Sequence, residues 1–488
     1  IQRDPVTRLF SFDVNTAMAV PNGPASGFQN PTLADNSDNL VTRESGNATG
    51  KVWIEFLNPF EVEEGKEYDV LFEEVQIDSN TTATGFSVID LEPVTVTFSP
   101  RDTAYVSLLS GQHIREGTET IRNSAGSEID TSLYKMDYFN ARIRATSLGD
   151  LNNSETYTAT FLIEPVASST SINGEDDNSV FDGMRIFVQN EETALSPLSI
   201  NGGKSGFKVI ETNTNFSDDY TTISLAQVGT FAPYPSDFEF RFTDYDTTQD
   251  GSLISPADSA IKLNPNLPGI KTPFKIIDTE TGERVNFFIS EVSGLRNYRW
   301  DWQETIVMIK PGAQLPTETT YQVKFSPPVD TLTSATGEDS VVVRDPIYPG
   351  VGDVFLLFSE KPFDPGDEYV FETKAAIFDD RQAKNALDEI YVVPNPYIAY
   401  SSSEIAGPRT GDRDDRRLEF RNLPRQCTIR IYTIAGELVD TIVKNDVLNY
   451  ALWDMLTFES QELAYGVYFY HIDAPGVGTK IGRFAVIK

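Results

Sequence analysis

The chain has 488 residues, with 39 Lys plus Arg against 73 Asp plus Glu, so its formal net charge at pH 7 is -34. Such a charge repels phosphate backbones and anionic membrane surfaces, which excludes nucleic acid as an expected partner. The length corresponds to three or four domains at about 150 residues each. No apolar run approaches the roughly 18 residues that a membrane span needs.

The single cysteine, Cys427, permits no internal disulfide, and we expect it to pack as a small apolar residue. Cysteine usage therefore does not identify the compartment. The chain begins at Ile1 and shows no positively charged, apolar leader. We interpret it as a mature protein or as the C-terminal part of a longer one.

The first 50 residues contain one strand-like run, residues 7–14, followed by a stretch rich in Pro, Gly, Asn and Ser. Two interpretations of Leu9 to Val14 stay open. The run completes the first sandwich of its own chain, or it adds a strand to the sheet edge of a neighbouring molecule.

A tyrosine at the start of an alternating, strand-like segment recurs along the body of the chain. An apolar residue stands six positions before each one. This spacing is typical of a tyrosine corner, in which the hydroxyl bonds backbone a few residues upstream. We predict that these residues determine the fold and do not contact a ligand. They are Tyr68, Tyr157, Tyr321 and Tyr369.

Acidic, turn-rich stretches suggest where one unit ends and the next begins. We predict a first β-sandwich over residues 1–88, a second over 89–182, and a larger β domain with insertions over 183–378. A connector helix and a C-terminal β-sandwich would occupy 379–488. The helix is predicted at 379–389, where acids precede a run of helix formers.

One acidic loop has the spacing of a calcium site. Oxygen-bearing residues fall at positions 1, 3 and 5 of a calcium loop, with Gly251 at the turn, but Ala257 occupies the position where an acid is expected. The alternative is an Asp- and Gly-rich surface turn. The candidate calcium ligands are Asp244, Asp246, Thr248, Asp250 and Asp258.

No catalytic motif is recognisable, and one cysteine with two histidines leaves little for a His-assisted nucleophile. Trp300 and Trp302 would share one face of a strand and could stack a sugar ring, or they pack inside a sandwich. We therefore expect a protein without enzymatic activity.

The last hundred residues consist of short β-branched or aromatic runs with period-two alternation, typical of a sandwich. Cys427, Ile429 and Ile431 would share one face of a strand that Gly436 turns into a hairpin. The ordered motifs are Val393-Pro-Asn-Pro396, Thr428-Ile-Arg-Ile-Tyr432, Gly436-Glu-Leu-Val439, Trp453-Asp454 and Gly466-Val-Tyr-Phe-Tyr470.

This order resembles the type A C-terminal sorting domain of proteins exported by the type IX secretion system of Bacteroidetes-like bacteria. A longer charged insert, residues 401–417, departs from the family pattern. The upstream part looks like the Ig-like or fibronectin-like regions of large secreted surface proteins. The resemblance implies an all-β chain of tandem sandwiches, export through the type IX machinery, and a place outside the cell or on its surface.

The sequence therefore favours a structural or adhesive surface protein, a subunit of an extracellular filament or layer. We expect it to associate with itself or with other surface proteins, with calcium as the one candidate cofactor. The alternative is a secreted carbohydrate-binding or polysaccharide-degrading protein that uses Trp300 and Trp302.

Overall fold

The structure is a computed structural model that describes residues 23–35, 38–77, 81–195, 205–207, 222–227, 233–243, 272–290, 304–313, 318–326, 329–333, 339–343, 352–398 and 416–487. Its regular elements are β-strands except for one α-helix and two short 3-10 helices within these ranges. The predicted all-β, sandwich-type class is confirmed.

The first 13 strands, in chain order, are β1 (Phe28–Gln29), β2 (Thr32–Leu33), β3 (Thr42–Ser45), β4 (Lys51–Phe56), β5 (Glu67–Gln76), β6 (Thr82–Phe98), β7 (Val106–Ser107), β8 (His113–Ile114), β9 (Thr120–Arg122), β10 (Tyr134–Asp137), β11 (Arg142–Ala145), β12 (Tyr157–Ser169) and β13 (Met184–Gln189). A 3-10 helix at Thr131–Leu133 precedes β10.

The next 15 strands are β14 (Ala194–Leu195), β15 (Gly206–Phe207), β16 (Thr222–Gln227), β17 (Phe238–Phe242), β18 (Phe274–Asp278), β19 (Arg284–Val285), β20 (Phe287–Ser290), β21 (Thr305–Ile309), β22 (Thr319–Ser326), β23 (Val329–Thr333), β24 (Asp339–Val343), β25 (Val354–Leu357), β26 (Ser359–Glu360), β27 (Glu368–Lys374) and β28 (Ile377–Phe378).

The chain ends with the helix α1 (Asp380–Ala386), a 3-10 turn at Leu387–Glu389, and eight strands. These are β29 (Tyr391–Val393), β30 (Tyr397–Ile398), β31 (Leu418–Arg421), β32 (Gln426–Thr433), β33 (Leu438–Asn445), β34 (Tyr450–Trp453), β35 (Gly466–Ala474) and β36 (Gly478–Ile487).

The first core belongs to a unit that we call the host sandwich, built from β2 to β6, β12, β13 and β27. One of its sheets brings the late strand β27 beside β5, with Phe371 opposite Tyr68. The β4–β13 pair also supplies residues to this core, among them Ile54 and Ile186. The host sandwich is therefore closed by a strand that arrives about three hundred residues after its partner.

The predicted boundaries at residues 88 and 182 fall inside the host core. Val88 is fully buried there, and Phe181 and Met184 on either side of the second boundary belong to the same core. The chain leaves this sandwich twice and returns, so the inner units are nested in it. The residue pattern of a single strand could not predict this nesting, because it does not show which distant strand will pair with it.

The first inserted domain, residues 91–163, grows directly from two long strands. β6 and β12 pair from Phe98 opposite Tyr157 to Phe86 opposite Ser169, with three register shifts on the way. Phe86 lies in the host core, whereas Phe98 and Tyr157 lie in the core of the inserted domain. One pair of strands is thus shared by two cores.

The second inserted domain, whose described residues lie between 194 and 360, is entered and left at one point. β14 and β26 pair there, with Leu195 opposite Ser359. Its core is rich in aromatic rings, including Phe240, Phe274 and Phe325, contributed by a five-stranded and a four-stranded sheet.

The C-terminal sandwich, residues 379–487, has a three-stranded sheet (β29, β31, β34) facing a five-stranded one (β30, β36, β35, β32, β33). α1 forms where the sequence predicted a helix, and the side chain of its N-cap Asp379 accepts the N–H of Arg381. Ala383 and Leu387 are part of this sandwich's core. The helix therefore belongs to the C-terminal unit.

Candidate interaction surface

The five-stranded sheet of the C-terminal sandwich has one buried and one exposed face. On β32, Cys427, Ile429 and Ile431 are buried, as the period-two pattern predicts, and the residues between them point outward. Gly436 has φ 84° at the turn into β33, a conformation that glycine adopts without steric cost. The outer face is thus fixed by alternation and by one tight turn.

The motif residues hold the two sheets together. The chain passes from β29 in one sheet to β30 in the other through Pro394-Asn395-Pro396. The Asn395 side chain donates to the carbonyl oxygen of Arg483 (3.3 Å) and accepts the N–H of Ala485 (3.2 Å). Buried Trp453 donates its indole N–H to Asp440 over 2.7 Å. The Asn395 contacts tie the start of the sandwich to its last strand, and the Trp453 bond ties β34 of one sheet to β33 of the other.

The outer face carries an unusual number of exposed apolar side chains. Apolar side chains on a soluble surface are normally scattered singly, so seven of them on the outer face of one sheet indicate an interaction site. We call this group the apolar face. It comprises Ile398 (54% exposed), Leu438 (46%), Val443 (75%), Val467 (43%), Phe469 (37%), Ile481 (67%) and Ile487 (47%).

A groove of about 350 Å³ lies at one end of the apolar face, beside the hairpin turn. Strand register places Tyr432 next to Phe469, and His471 next to both Arg430 and Ile481. The lining residues are Tyr432, Thr433, Ile434, Gly436, Phe469, Tyr470, His471 and Ile481. Ile434 is 77% exposed at the rim, so the groove opens to solvent between apolar walls.

Two arginines give the apolar face its charge. Arg430 lies 3.6 Å from Asp473. Arg483 of β36 lies directly opposite Phe469 of β35. On a chain of net charge -34, this face holds few acids. It therefore suits a partner surface that is apolar with acidic groups at its rim.

Residues 23–29, which we call the strap, join the C-terminal sandwich to the host sandwich. Ala25 donates its N–H to the Val447 carbonyl (2.8 Å) and Ser26 donates to Leu423 (3.0 Å). A few residues on, Phe28 pairs with Phe378, just after β27, and its ring centroid lies 5.4 Å from that of Phe60, between β4 and β5 of the host sandwich. The strap is thus hydrogen-bonded to the C-terminal sandwich and packed against the segment that leads into it.

The four predicted tyrosines all lie buried at the start of a strand, and the hydroxyl groups of Tyr68, Tyr157 and Tyr321 have different kinds of partner. Tyr157 accepts the N–H of Asn152 at 2.9 Å, the local geometry of a tyrosine corner. Tyr321 donates instead to the distant carbonyl of Tyr234 (2.7 Å). Sequence reasoning missed Tyr468, which donates to the Ala464 carbonyl (2.7 Å) four residues upstream.

Tyr68 bonds a side chain and not local backbone. Its hydroxyl donates to Asp182 over 2.5 Å, and Lys66 contacts the same Asp182 (2.7 Å) and Asp90 (2.8 Å). Burial, followed by the bond to Asp182, raises the pKa of Tyr68 above its usual value. Burial alone would lower the pKa of Lys66, but the hydrogen bonds and charges of Asp182 and Asp90 together raise it. We call these four residues the ion cluster.

A second buried lysine joins the host sandwich to the second inserted domain. Lys361 contacts Asp237 at 2.9 Å and Glu280 at 2.8 Å. Its side chain is only 8% exposed. Neither lysine carries a sequence signal, because both pair with acids from distant segments.

The candidate calcium loop of residues 244–258, the pair Trp300 and Trp302, and the run Leu9 to Val14 lie outside the residues that the structure describes. Within the described ranges, no cluster of three or more His, Cys, Asp or Glu could hold a metal ion. No helix in the same ranges is long and apolar enough to cross a membrane.

A scan against protein families and a search of curated proteins give no match. The chain is similar to three solved structures, among others. One is PorZ, an essential surface component of the type-IX secretion system of Porphyromonas gingivalis, with 13% identity and a TM-score of 0.18 over 84% of this chain and 64% of PorZ. Another is the BSP domain of a biofilm associated protein, with 10% identity and a TM-score of 0.14 over 86% of this chain and 81% of that one. The third is a polysaccharide lyase, with 12% identity and a TM-score of 0.13 over 86% of this chain and 47% of the lyase.

The chain spans less than two thirds of the length of PorZ and less than half of the lyase. TM-scores this low support no inference about the function of this chain.

Proposed function

We propose that this chain is a secreted, surface-associated structural or adhesive protein whose C-terminal sandwich directs its export by a type IX-like route. The apolar face is the observation that carries the proposal. It lies on the unit whose motifs resemble a sorting domain, and it leaves Val443 and Ile481 more than half exposed.

Burying exposed apolar side chains against a partner stabilises the complex by about 25 cal/mol for each Å² of apolar surface removed from water. The apolar face belongs to a sheet whose other side packs the sandwich core, so a partner can cover it without unfolding the domain. The groove beside Phe469 offers a pocket for one anchoring side chain of that partner. We take the export machinery as this partner.

Self-association of the exported protein is the second part of the proposal. Within the described residues, β33 pairs only with β32 and leaves its other edge open. An open edge can be extended by a strand from another chain. The strap and the shared strands β6 and β12 support a role under mechanical tension, because they connect the units by backbone pairing.

The proposal is tested by export of the full chain from a bacterium that has a type IX system. The variant Phe469→Ser/Ile481→Ser removes apolar contact area from the face while the core side of the sheet is unchanged. We expect it to melt like the wild type and to accumulate inside the cell. Export at the wild-type level by a correctly folded variant contradicts the proposal.

Leu148→Ser supplies the matched control. Leu148 is 76% exposed and lies in the first inserted domain, far along the chain from the apolar face. This variant should be exported normally. A parallel strain without a working type IX system should retain every variant alike.

A further inference from the structure

A second surface lies on the first inserted domain, on the sheet formed by β10, β11 and β7. On β11, Arg142 and Arg144 alternate with the buried Ile143 and Ala145, so the two guanidinium groups share the outer face. Register places Lys135 of β10 directly opposite Arg144. Three cations therefore lie on one small area of sheet.

Tyr105, which directly precedes β7, organises these cations. Its ring centroid lies 5.1 Å from the guanidinium carbon of Arg142 and 5.3 Å from that of Arg144. The cation–π attraction restrains both side chains beside the ring. Since Tyr105 is still 42% exposed, its ring also offers an apolar surface to an incoming group.

One acid moderates the charge. Asp137 stands opposite Arg142 in the register and accepts its Nε–H over 3.2 Å. Arg144 and Lys135 form no ion pair with another described residue, and three cations against one carboxylate leave a net charge of +2. We call Tyr105, Lys135, Asp137, Arg142 and Arg144 the basic face. It stands out on a chain whose net charge is -34.

We propose that the basic face binds an anionic polysaccharide that carries carboxylate groups, an inference that rests on the proposed adhesive function and names its ligand class. Arginine presents a planar fork of N–H donors that matches a carboxylate, and lysine adds a point charge. The Tyr105 ring beside them provides a stacking surface for a sugar ring. The row of donors along β11 suits an extended polymer.

The basic face suits a polysaccharide better than a second copy of this chain. The self-association proposed above uses the open edge of β33 in the C-terminal sandwich and does not involve the basic face. A polysaccharide segment brings only the carboxylates that it lays on the basic face. At physiological ionic strength, charges more than about 8 Å away are largely screened.

The test uses the purified full chain and two probes, polygalacturonate and the neutral polymer dextran. We expect binding to polygalacturonate and none to dextran, with affinity falling steeply as salt rises from about 0.05 M to about 0.5 M. The variant Lys135→Ala/Arg144→Ala should weaken binding at least about tenfold. Tyr105→Ala should weaken it without changing the salt dependence, because the ring carries no charge.

Arg122→Ala is the matched control. Arg122 lies in the same domain, is 53% exposed and faces Glu128 at 3.6 Å, so its loss should leave binding unchanged. Three results overturn the inference: no binding of polygalacturonate at low salt, equal binding of dextran, or unchanged binding by the folded double variant.

A change in the sedimentation of the unliganded chain on Lys135→Ala/Arg144→Ala would also overturn the inference, because it would mark the basic face as a self-contact. This assay measures binding by the purified chain and does not depend on export. A negative result would therefore contradict the ligand inference without contradicting the proposed export route.

Discussion

The backbone N–H of Asp379 donates to the carbonyl oxygen of Gly27 over 2.8 Å, which joins the N-cap of α1 to the strap. Gly27 has φ 86°, and a Cβ at this position would lie 2.5 Å from the carbonyl oxygen of Asp379. The strap can approach the helix this closely only with glycine. One residue near the start of the described chain therefore helps to seat the C-terminal sandwich.

Replacing Gly27 with alanine should weaken the packing of the strap against α1. The added Cβ clashes with Asp379 and the positive φ is strained for alanine, so we expect a loss of about 2 kcal/mol in the free energy of unfolding. Limited proteolysis should then release the C-terminal sandwich sooner. Gly366→Ala separates the two causes, because Gly366 has φ 102° and a Cβ added there would meet nothing within 4 Å. Equal losses in the two variants would contradict the role of the close approach.

Replacing Lys66 with methionine should destabilise the host sandwich. Asp90 is 2% exposed and would lose its cationic partner inside the protein. Removing one partner of a buried ion pair typically costs about 3 kcal/mol or more. Urea unfolding measures the change. Lys480→Met is the control, because its partner Asp388 is 92% exposed and the loss there should stay below about 1 kcal/mol.

The ion cluster also predicts a loss of stability at high pH. The pKa values of Lys66 and Tyr68 are both raised in the folded protein. The folded state therefore keeps protons that the unfolded state releases once the pH passes their ordinary values of 10.5 and 10.0. We expect the free energy of unfolding to fall above about pH 10. In Tyr68→Phe this fall should be smaller, and an identical pH profile would refute the assignment.

Removing the hydroxyl of Tyr157 should cost about 1 kcal/mol, the net value of one hydrogen bond. Its bond with Asn152 closes the turn before β12. Tyr369→Phe is the matched comparison, since the Tyr369 hydroxyl makes no hydrogen bond to another described residue and should cost less. Thermal unfolding of both variants measures the difference. A larger loss for Tyr369→Phe would show that the local bond is not what stabilises this segment.

Cys427 should resist thiol reagents in the folded protein. Burial raises the pKa of this thiol to about 11, so the reactive thiolate is scarce at neutral pH. We expect slow labelling at pH 8 that becomes fast when the chain is unfolded in urea. Rapid labelling of the folded protein would show that the core around β32 opens.

The sequence predicted the parts of the fold that depend on local pattern. Period-two alternation identified the buried side of β32, and Gly436 identified its turn. The helix before the C-terminal sandwich was also predictable, because acids at its start and helix formers within it are neighbours in the chain.

Long-range features escaped prediction for a physical reason. The return of β27 to β5 depends on which edges remain open after the other strands have paired, and no residue within either strand encodes that choice. The apolar face escaped for a related reason. Phe469 and Ile481 look like ordinary strand residues until the register places them on the solvent side.

The pairing of β14 with β26 governs how tension passes through the molecule. Because the second inserted domain begins and ends at this pair, with Leu195 opposite Ser359, a pull along the host chain crosses the pair before it reaches the inserted domain. We expect this pair, together with the contacts of Lys361 to Asp237 and Glu280, to bear the load before the inserted domain does. Once the pair separates, the inserted chain can lengthen while the host core stays folded, so the molecule would extend in steps under stress.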